Sequence, residues 1–289
     1  MPMKQHKQTN ILYTCMLTIL LVMLMATPVV KISAEENNTL ILGVHPYLPP
    51  ADLEKRFTPL IQYLSRQLGV PMKLSISKDY ETHIENIGNK VFDIAYIGPS
   101  SYVELINKYG PHTLLARLEI AGKPYFNGYI VVRQDSNIQT LEELKGKRFA
   151  FGSPHSTMSY LVPRHMLIEA GVSLESLREY KFQGNHRNVA LGVLLGEFDA
   201  GAIKEETYFK FKKKGLRSIA ISPPISEHVF VCRGKPFFQK HNKLQDLMYK
   251  LSKTDEGRSI LMSIKKGVSG LVPVIDKDYD NLRNIMRKH

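Results

Sequence analysis

Residues 39–76 read TLILGVHPYLPPADLEKRFTPLIQYLSRQLGVPMKLSI. The apolar run 39–44 predicts a buried strand, and residues 72–76 predict a second one. Between them, apolar side chains recur at the spacing of one helix face, namely at Leu53, Phe57, Leu60, Ile61 and Leu64. Asp52 is a suitable cap for this helix, and Gly69 is a suitable end. Strand, helix and strand in this order indicate a βαβ unit and a mostly parallel sheet.

The same alternation continues along the chain and then repeats. A predicted strand at 92–97 is followed by a helix at 100–109, and a second, similar series begins after residue 139. We therefore expect two α/β lobes with a ligand cleft between them, because open α/β sheets bind ligands beyond the carboxyl ends of their strands. Hinge crossings are expected near Ile130 and near Val229.

The predicted domain boundaries follow from this repeat. Residues 35–131 together with 229–289 form the first predicted lobe, and residues 132–228 form the second. The end of the chain, after residue 231, is predicted to be helical.

The amino terminus predicts a secretory signal peptide. Lys4 and Lys7 precede an uncharged apolar run, 11–26, and the sequence ISA at 32–34 offers a small residue at a cleavage point. The run is shorter than the roughly 20 residues that a helix needs to span a bilayer. We predict that residues 1–34 are cleaved on export to the periplasm, with an uncleaved anchor as the alternative.

The composition is basic and poor in cysteine. A formal net charge of +12 suits nucleic acid, an anionic membrane surface or a small anionic solute. Export argues against nucleic acid. Cys15 falls in the signal peptide, so the mature chain keeps one thiol, Cys232, and has no intramolecular disulfide. Cys232 stands in an apolar run and is predicted to be a core residue rather than a nucleophile.

Residues 152–159, GSPHSTMS, contain a candidate anion site. They separate a predicted buried strand from an amphipathic helix, which places Ser156 or Thr157 at the helix amino terminus. Hydroxyl groups, free backbone N–H groups and the positive end of the helix dipole together suit an anion. The same residue types are also common as ordinary helix caps, and both interpretations stay open at this point.

Further polar loops follow predicted strands in the same way. They are 77–80, 98–101, 184–188 and 204–206. His186, in the third of these loops, would point into the cleft or lie on the surface. Each loop alone is explained by helix capping, but their recurrence at strand ends favours a common site.

The sequence carries no recognisable catalytic or metal-binding motif. It has no histidine pair at metal-ligand spacing, no Gly-x-Ser-x-Gly elbow and no phosphate-binding Gly-Lys loop. We therefore expect a binding protein without cofactor or metal rather than an enzyme.

Five short motifs follow one another between residues 42 and 231. They are FDIAYIG at 92–98, ST with YLVP at 156–163, GNH at 184–186, GEFDAGA at 196–202 and SP at 222–223. In this order and spacing they resemble the periplasmic phosphate/phosphite/phosphonate-type solute-binding proteins of ABC importers. The resemblance implies the two-lobed α/β fold of that family, type II-like, with two crossing hinge strands and a ligand cleft between the lobes.

The resemblance also implies ligand-binding residues, which are Ser156, Thr157, Ser159, His186, Tyr80, Tyr125, Glu206 and His228. Ser156 and Thr157 match the first two positions of the family's Ser-Thr-Ser turn, but the third position is Met158 and the serine comes one residue later. The aromatic position falls at Tyr125 or Phe126.

Two positions bear on the ligand's charge. Aminophosphonate-binding members place two carboxylates around the ligand amine. Glu206 matches one of them, whereas His228 stands at the other. This difference disfavours an aminoalkylphosphonate and leaves phosphate, phosphite or another alkylphosphonate open.

The expected function is therefore that of a monomeric importer subunit. It would bind a small oxyanion and deliver it to the membrane permease of an ABC importer. We expect no binding to nucleic acid. The alternative is a sensing module that reports the same anion to a separate membrane receptor, and gene neighbourhood would separate the two.

Overall fold

The structure, a computed structural model, describes residues 39–233 and 238–288. The predicted signal peptide, residues 1–34, lies outside the described residues. The described strands are β1 (Leu40–Val44), β2 (Met72–Ile76), β3 (Ile94–Ile97), β4 (Thr113–Ile120), β5 (Tyr125–Phe126), β6 (Gly128–Arg133), β7 (Arg148–Phe151), β8 (Glu179–Phe182), β9 (Ala200–Lys204), β10 (Leu216–Ile221), β11 (Ile225–Ser226), β12 (Val229–Cys232) and β13 (Val268–Val272).

The described α-helices are α1 (Pro50–Leu68), α2 (Tyr80–Gly88), α3 (Pro99–Tyr109), α4 (Val162–Glu169), α5 (His186–Leu194), α6 (Glu205–Lys212), α7 (Phe238–Lys250), α8 (Asp255–Ile264) and α9 (Asp280–Arg287). A π-helical turn, Thr157–Leu161, leads directly into α4, so that residues 157–169 form one continuous helical segment.

Helix α1 confirms the helix predicted from its apolar spacing. All five predicted positions are buried, and they pack in one cluster with strand residues such as Leu42 and Tyr96. The helix ends at Gly69, whose φ of 65° is readily adopted by glycine and rarely by other residues.

The first sheet has the strand order β13-β4-β12-β3-β1-β2. Strand β1 pairs in parallel with β2 and β3, as the βαβ pattern predicts. Strands β12, β4 and β13 pair antiparallel. The prediction of an entirely helical carboxyl-terminal region was therefore wrong, because Val268–Val272 adds an edge strand against β4. This run is short and contains Gly270, which weakens the strand pattern in the sequence.

The second sheet has the order β10-β6-β9-β7-β8. Strand β7 is parallel to β8 and β9, whereas β6 is antiparallel to β9 and β10. Both sheets are thus mixed rather than mostly parallel. The parallel strands come from the βαβ units, and the antiparallel strands belong to the segments that enter or leave each sheet.

The chain passes between the sheets at a short two-stranded ribbon. Strand β5 pairs antiparallel with β11, with Phe126 opposite Ile225 and Tyr125 opposite Ser226. These crossings precede the positions expected from the sequence: Ile130 already lies in the second sheet, and Val229 begins a strand of the first.

The structure also bears on Cys232 and on membrane-spanning helices. Cys232 is buried in the apolar cluster around β12, as predicted. No helix in the described part of the chain combines the length and the apolar character that a membrane span requires.

Candidate functional site: a cavity between the two sheets

A small cavity lies where loops from both sheets meet. About 20 Å³ is open to atoms of water size, and a single water needs about 10–15 Å³ by this measure. The space therefore suits a compact ion of a few atoms. The lining residues are His45, Tyr47, Tyr80, Gly98, Ser100, Phe126, Ser156, Thr157, Met158, His186, Lys204 and His228.

Four helical segments begin at this cavity. Tyr80 is the first residue of α2, and His186 is the first residue of α5. Gly98 caps α3, and Ser156 caps the segment that starts at Thr157. Each strand-to-helix loop thus places a helix amino terminus, with the positive end of its dipole, at the cavity. Such an arrangement favours an anion.

Hydroxyl groups lie next to these helix ends. The Ser156 hydroxyl accepts a hydrogen bond from the Ser159 N–H at 3.2 Å and is also hydrogen-bonded to Tyr80. The Thr157 Oγ1 accepts from the Ser100 N–H at 3.0 Å and lies 2.8 Å from the Ser100 Oγ. Thr157 belongs to the second sheet's helices and Ser100 to the first sheet's, so this pair joins the two halves beside the cavity.

The orientation of His186 is set by the backbone. The Lys204 N–H donates to His186 Nδ1 at 3.1 Å. Burial, together with the nearby Lys204, holds the pKa of His186 well below the ordinary histidine value. A neutral ring that accepts at Nδ1 carries its proton on Nε2, so His186 is a hydrogen-bond donor toward a ligand.

His228 has the opposite hydrogen-bonding role to His186, because its Nε2 is an acceptor. Its Nδ1 lies 2.8 Å from Glu227 Oε2, and the Glu227 carboxylate pairs with the Lys265 ammonium at 2.7 Å. Burial lowers the pKa of His228, although Glu227 works against this shift. Donation from Nδ1–H to the carboxylate leaves Nε2 as an acceptor, and this atom lies near Gly98, another lining residue.

His45 was not predicted as a site residue. Its ring is 1% exposed, and neither ring nitrogen has a hydrogen-bond partner among the described residues. Burial and the neighbouring His228 hold its pKa well below the ordinary value. A buried polar ring without a partner is costly, and a ligand in the cavity would satisfy it.

Lys204 places an amine group at the cavity. Its side chain is 4% exposed, and its Nζ lies 3.2 Å from Glu206 Oε2 and 4.3 Å from the centre of the Tyr47 ring. Burial lowers its pKa, while Glu206 opposes that shift. No carboxylate is found among the described lining residues, so the cavity is electrostatically suited to an anion.

Five of the eight predicted site residues line this cavity: Ser156, Thr157, His186, Tyr80 and His228. Three lie elsewhere. The Ser159 hydroxyl donates to the Ala202 carbonyl at 2.5 Å, and Tyr125 is 43% exposed. Glu206 is held by Arg56 and Lys204. Phe126, the other aromatic considered at the position of Tyr125, lines the cavity.

Three of the lining residues that the prediction omitted share one sequence signal. His45 directly follows β1, Gly98 directly follows β3, and Lys204 is the last residue of β9. The loops of Gly98 and Lys204 had been recognised as polar strand ends. His45 and Tyr47 were missed because three prolines made their segment look like a simple turn.

The chain is similar in sequence to known periplasmic binding proteins. The family model described as "ABC transporter, phosphonate, periplasmic substrate-binding protein" matches residues 42–279. The phosphate-import protein PhnD of Mycolicibacterium smegmatis is 28% identical over 272 residues, which cover 86% of this chain and 84% of that protein. The phosphonates-binding periplasmic protein of Escherichia coli is 25% identical over 237 residues, covering 78% and 70%.

Solved structures of binding proteins share the fold of this chain. PhnD1 of Prochlorococcus marinus, in complex with methylphosphonate, matches with a TM-score of 0.78 and 25% identity over 87% of this chain and 98% of that chain. A binding protein of a phosphonate ABC transporter from Pseudomonas aeruginosa, 22% identical, has a TM-score of 0.77 over 86% of this chain and 85% of that chain, which supports the fold. The chain belongs to the family of periplasmic substrate-binding proteins of phosphonate ABC transporters.

Proposed function

We propose that this protein is the solute-binding component of an ABC importer for a phosphorus oxyanion, which it delivers to the importer's membrane permease. The observation that carries the proposal is the convergence of four helix amino termini and the Lys204 ammonium on one small cavity. The small size of the cavity and the positive groups at it favour compact anions such as phosphate, phosphite and small phosphonates. The names of the relatives, which import phosphate or bind phosphonates, support the same ligand class.

The hydrogen-bonding pattern supports an oxyanion that still carries a proton. His186 offers a donor and His228 offers an acceptor in the arrangement described above. A singly protonated phosphorus oxyanion has acceptor oxygens for the first and a hydroxyl for the second. Sulfate at neutral pH has no proton to give to His228, so it is the natural negative control.

We assign the ligand contacts to Tyr80, Ser156, Thr157, His186 and His228. The lining residues His45, Ser100 and Lys204 are added to this set. Ser159, Tyr125 and Glu206, which family resemblance also implied, act from outside the cavity by supporting the turn, the ribbon and Lys204.

Two further parts of the proposal concern the whole chain. Export to the periplasm would follow cleavage of residues 1–34. The two sheets would be the cores of two lobes that hinge at β5 and β11, residues 35–131 with 229–289 in one and 132–228 in the other. The pairing of β6 with β9 and β10 would support a first boundary before Gly128 instead of after residue 131.

The first prediction tests the ligand class. We expect phosphite, phosphate or methylphosphonate to bind at least about tenfold more tightly than aminoethylphosphonate, a difference of about 1.4 kcal/mol. The reason is that Glu206 is paired with Arg56 and Lys204, and Glu227 is paired with Lys265, so neither carboxylate remains to bind an ammonium group. Titration calorimetry with each anion, and with sulfate as control, measures this difference.

Two results would count against this prediction. A tenfold preference for aminoethylphosphonate would show that one of these carboxylates is available to the ligand. Binding of sulfate alone would reject the phosphorus oxyanion.

The second prediction concerns closure. The ion pair Arg56–Glu206, at 3.0 Å, and the Ser100–Thr157 hydrogen bond join the two halves on both sides of the cavity. A ligand that contacts both halves favours the closed arrangement through contacts absent from an open one. Small-angle scattering should therefore show a smaller radius of gyration with saturating methylphosphonate than without it, and no change with sulfate. Superimposable profiles with and without methylphosphonate would argue against hinge closure.

A further inference from the structure

A second recess, here called the outer groove, lies beside the cavity. It has a volume of about 750 Å³, and its lining includes Tyr125, Asn127, Glu206, Phe209 and Lys265. The segment around β5 separates the two spaces. Phe126 lines the cavity, whereas its neighbours Tyr125 and Asn127 line the groove, as expected for the alternating side chains of an extended segment.

Ion pairs complete the partition between the cavity and the groove. Lys204 lines the cavity and Glu206 lines the groove, with 3.2 Å between Nζ and Oε2. His228 lines the cavity and Lys265 lines the groove, and the fully buried Glu227 bridges them at 2.8 and 2.7 Å. Beside the β5 segment, the partition is therefore made of polar and charged side chains that bind one another.

The Lys204–Glu206 pair is fixed from the groove side and from the first sheet. Arg56, on α1, holds Glu206 Oε1 at 3.0 Å, and its Nη1 donates to the Ile264 carbonyl at 3.1 Å. The Tyr47 ring packs against the Lys204 ammonium. The Lys204 side chain is thus held in place and cannot withdraw without breaking these contacts.

We propose that the Lys204–Glu206 pair closes the cavity toward the outer groove and thereby restricts the ligand to a compact oxyanion, with a substituent on phosphorus no larger than methyl. This inference rests on the proposed function and names its ligand more narrowly. Lys204 has two roles in this proposal. Its charge attracts the anion, and its long side chain fills the space between the cavity and the outer groove. Shortening this one side chain would join the cavity to a space large enough for a longer alkyl substituent.

The test compares methylphosphonate with butylphosphonate, because the two share the charged group and differ in length. By titration calorimetry the wild-type protein should bind methylphosphonate about tenfold to hundredfold more tightly, as extra methylenes are poorly tolerated in a packed site. In Lys204→Ala this ratio should fall to within about threefold. Lys204→Met is the matched control: it keeps most of the length without the charge, so both affinities should fall while the ratio stays that of the wild type.

The outcomes separate this inference from the proposed function. If the wild-type protein binds no phosphorus oxyanion, the proposed function fails. If it binds butylphosphonate as tightly as methylphosphonate, or if Lys204→Ala keeps the wild-type ratio, the partition does not select by length. Should Lys204→Ala fail to fold, the double variant Lys204→Ala/Glu206→Ala removes both charges of the pair and must show the same loss of selectivity.

Discussion

Replacing Glu227 by alanine is expected to lower the free energy of unfolding by about 3–5 kcal/mol. Glu227 is fully buried, and it binds both the Lys265 ammonium at 2.7 Å and the His228 ring at 2.8 Å. Removing the carboxylate leaves the Lys265 charge, in a side chain only 9% exposed, without its partner. Chemical denaturation measured at neutral pH should show the loss as a lower midpoint with an unchanged slope.

Two variants control this result. The exposed pair Arg66–Glu256 has side chains more than half exposed, so Glu256→Ala should change the stability by at most about 1 kcal/mol. The double variant Glu227→Gln/Lys265→Met removes both buried charges and should recover most of the stability lost by Glu227→Ala. A Glu227→Ala protein as stable as the wild type would contradict the proposed burial of this ion pair.

The same carboxylate has a defined pH dependence. Burial alone would raise the pKa of Glu227, but Lys265 and His228 outweigh it and hold the pKa well below the ordinary glutamate value. A lowered folded-state pKa means that the stabilisation is fully present above the unfolded-state pKa and is lost as the pH falls toward the folded-state value. The pair is therefore intact throughout the neutral range in which a periplasmic protein works.

Most of the fold could be predicted from the sequence because its elements carry strong local signals. The apolar face of α1 and the glycine at its end are unambiguous, and the repeated strand-helix alternation indicates two α/β halves. The family resemblance, the two-lobed fold and the role as a binding protein rather than an enzyme are confirmed by the family match. Strand β13 and the antiparallel pairings were missed, because pairing between distant segments leaves no local pattern.

The candidate site was predicted less completely, for a physical reason. Strand ends and helix caps can be recognised in a sequence, and Ser156, Thr157 and His186, which were predicted from them, line the cavity. Which side of a loop faces the ligand depends on neighbours far away in the chain. Glu206 matched a ligand-binding position, but Arg56, at a distance of 150 residues, binds it instead. His45 is identified because neither ring nitrogen has a hydrogen-bond partner among the described residues, and only the three-dimensional structure reveals this.

The hydroxyl groups of Ser156 and Thr157 are expected to contribute a large share of the binding affinity. A hydrogen bond from a hydroxyl to a charged acceptor is worth about 1.5–3 kcal/mol, so Ser156→Ala/Thr157→Ala should weaken binding by about two orders of magnitude or more. Both residues are buried and line the cavity at a helix amino terminus.

Ser159→Ala is the matched control, because the Ser159 hydroxyl donates to the Ala202 carbonyl outside the cavity. Its affinity for methylphosphonate, measured by titration calorimetry, should stay within about threefold of the wild type. Two results would show that these two hydroxyl groups are not ligand contacts. One is a folded double variant that keeps wild-type affinity for methylphosphonate. The other is a Ser159→Ala variant that loses as much affinity as the double variant.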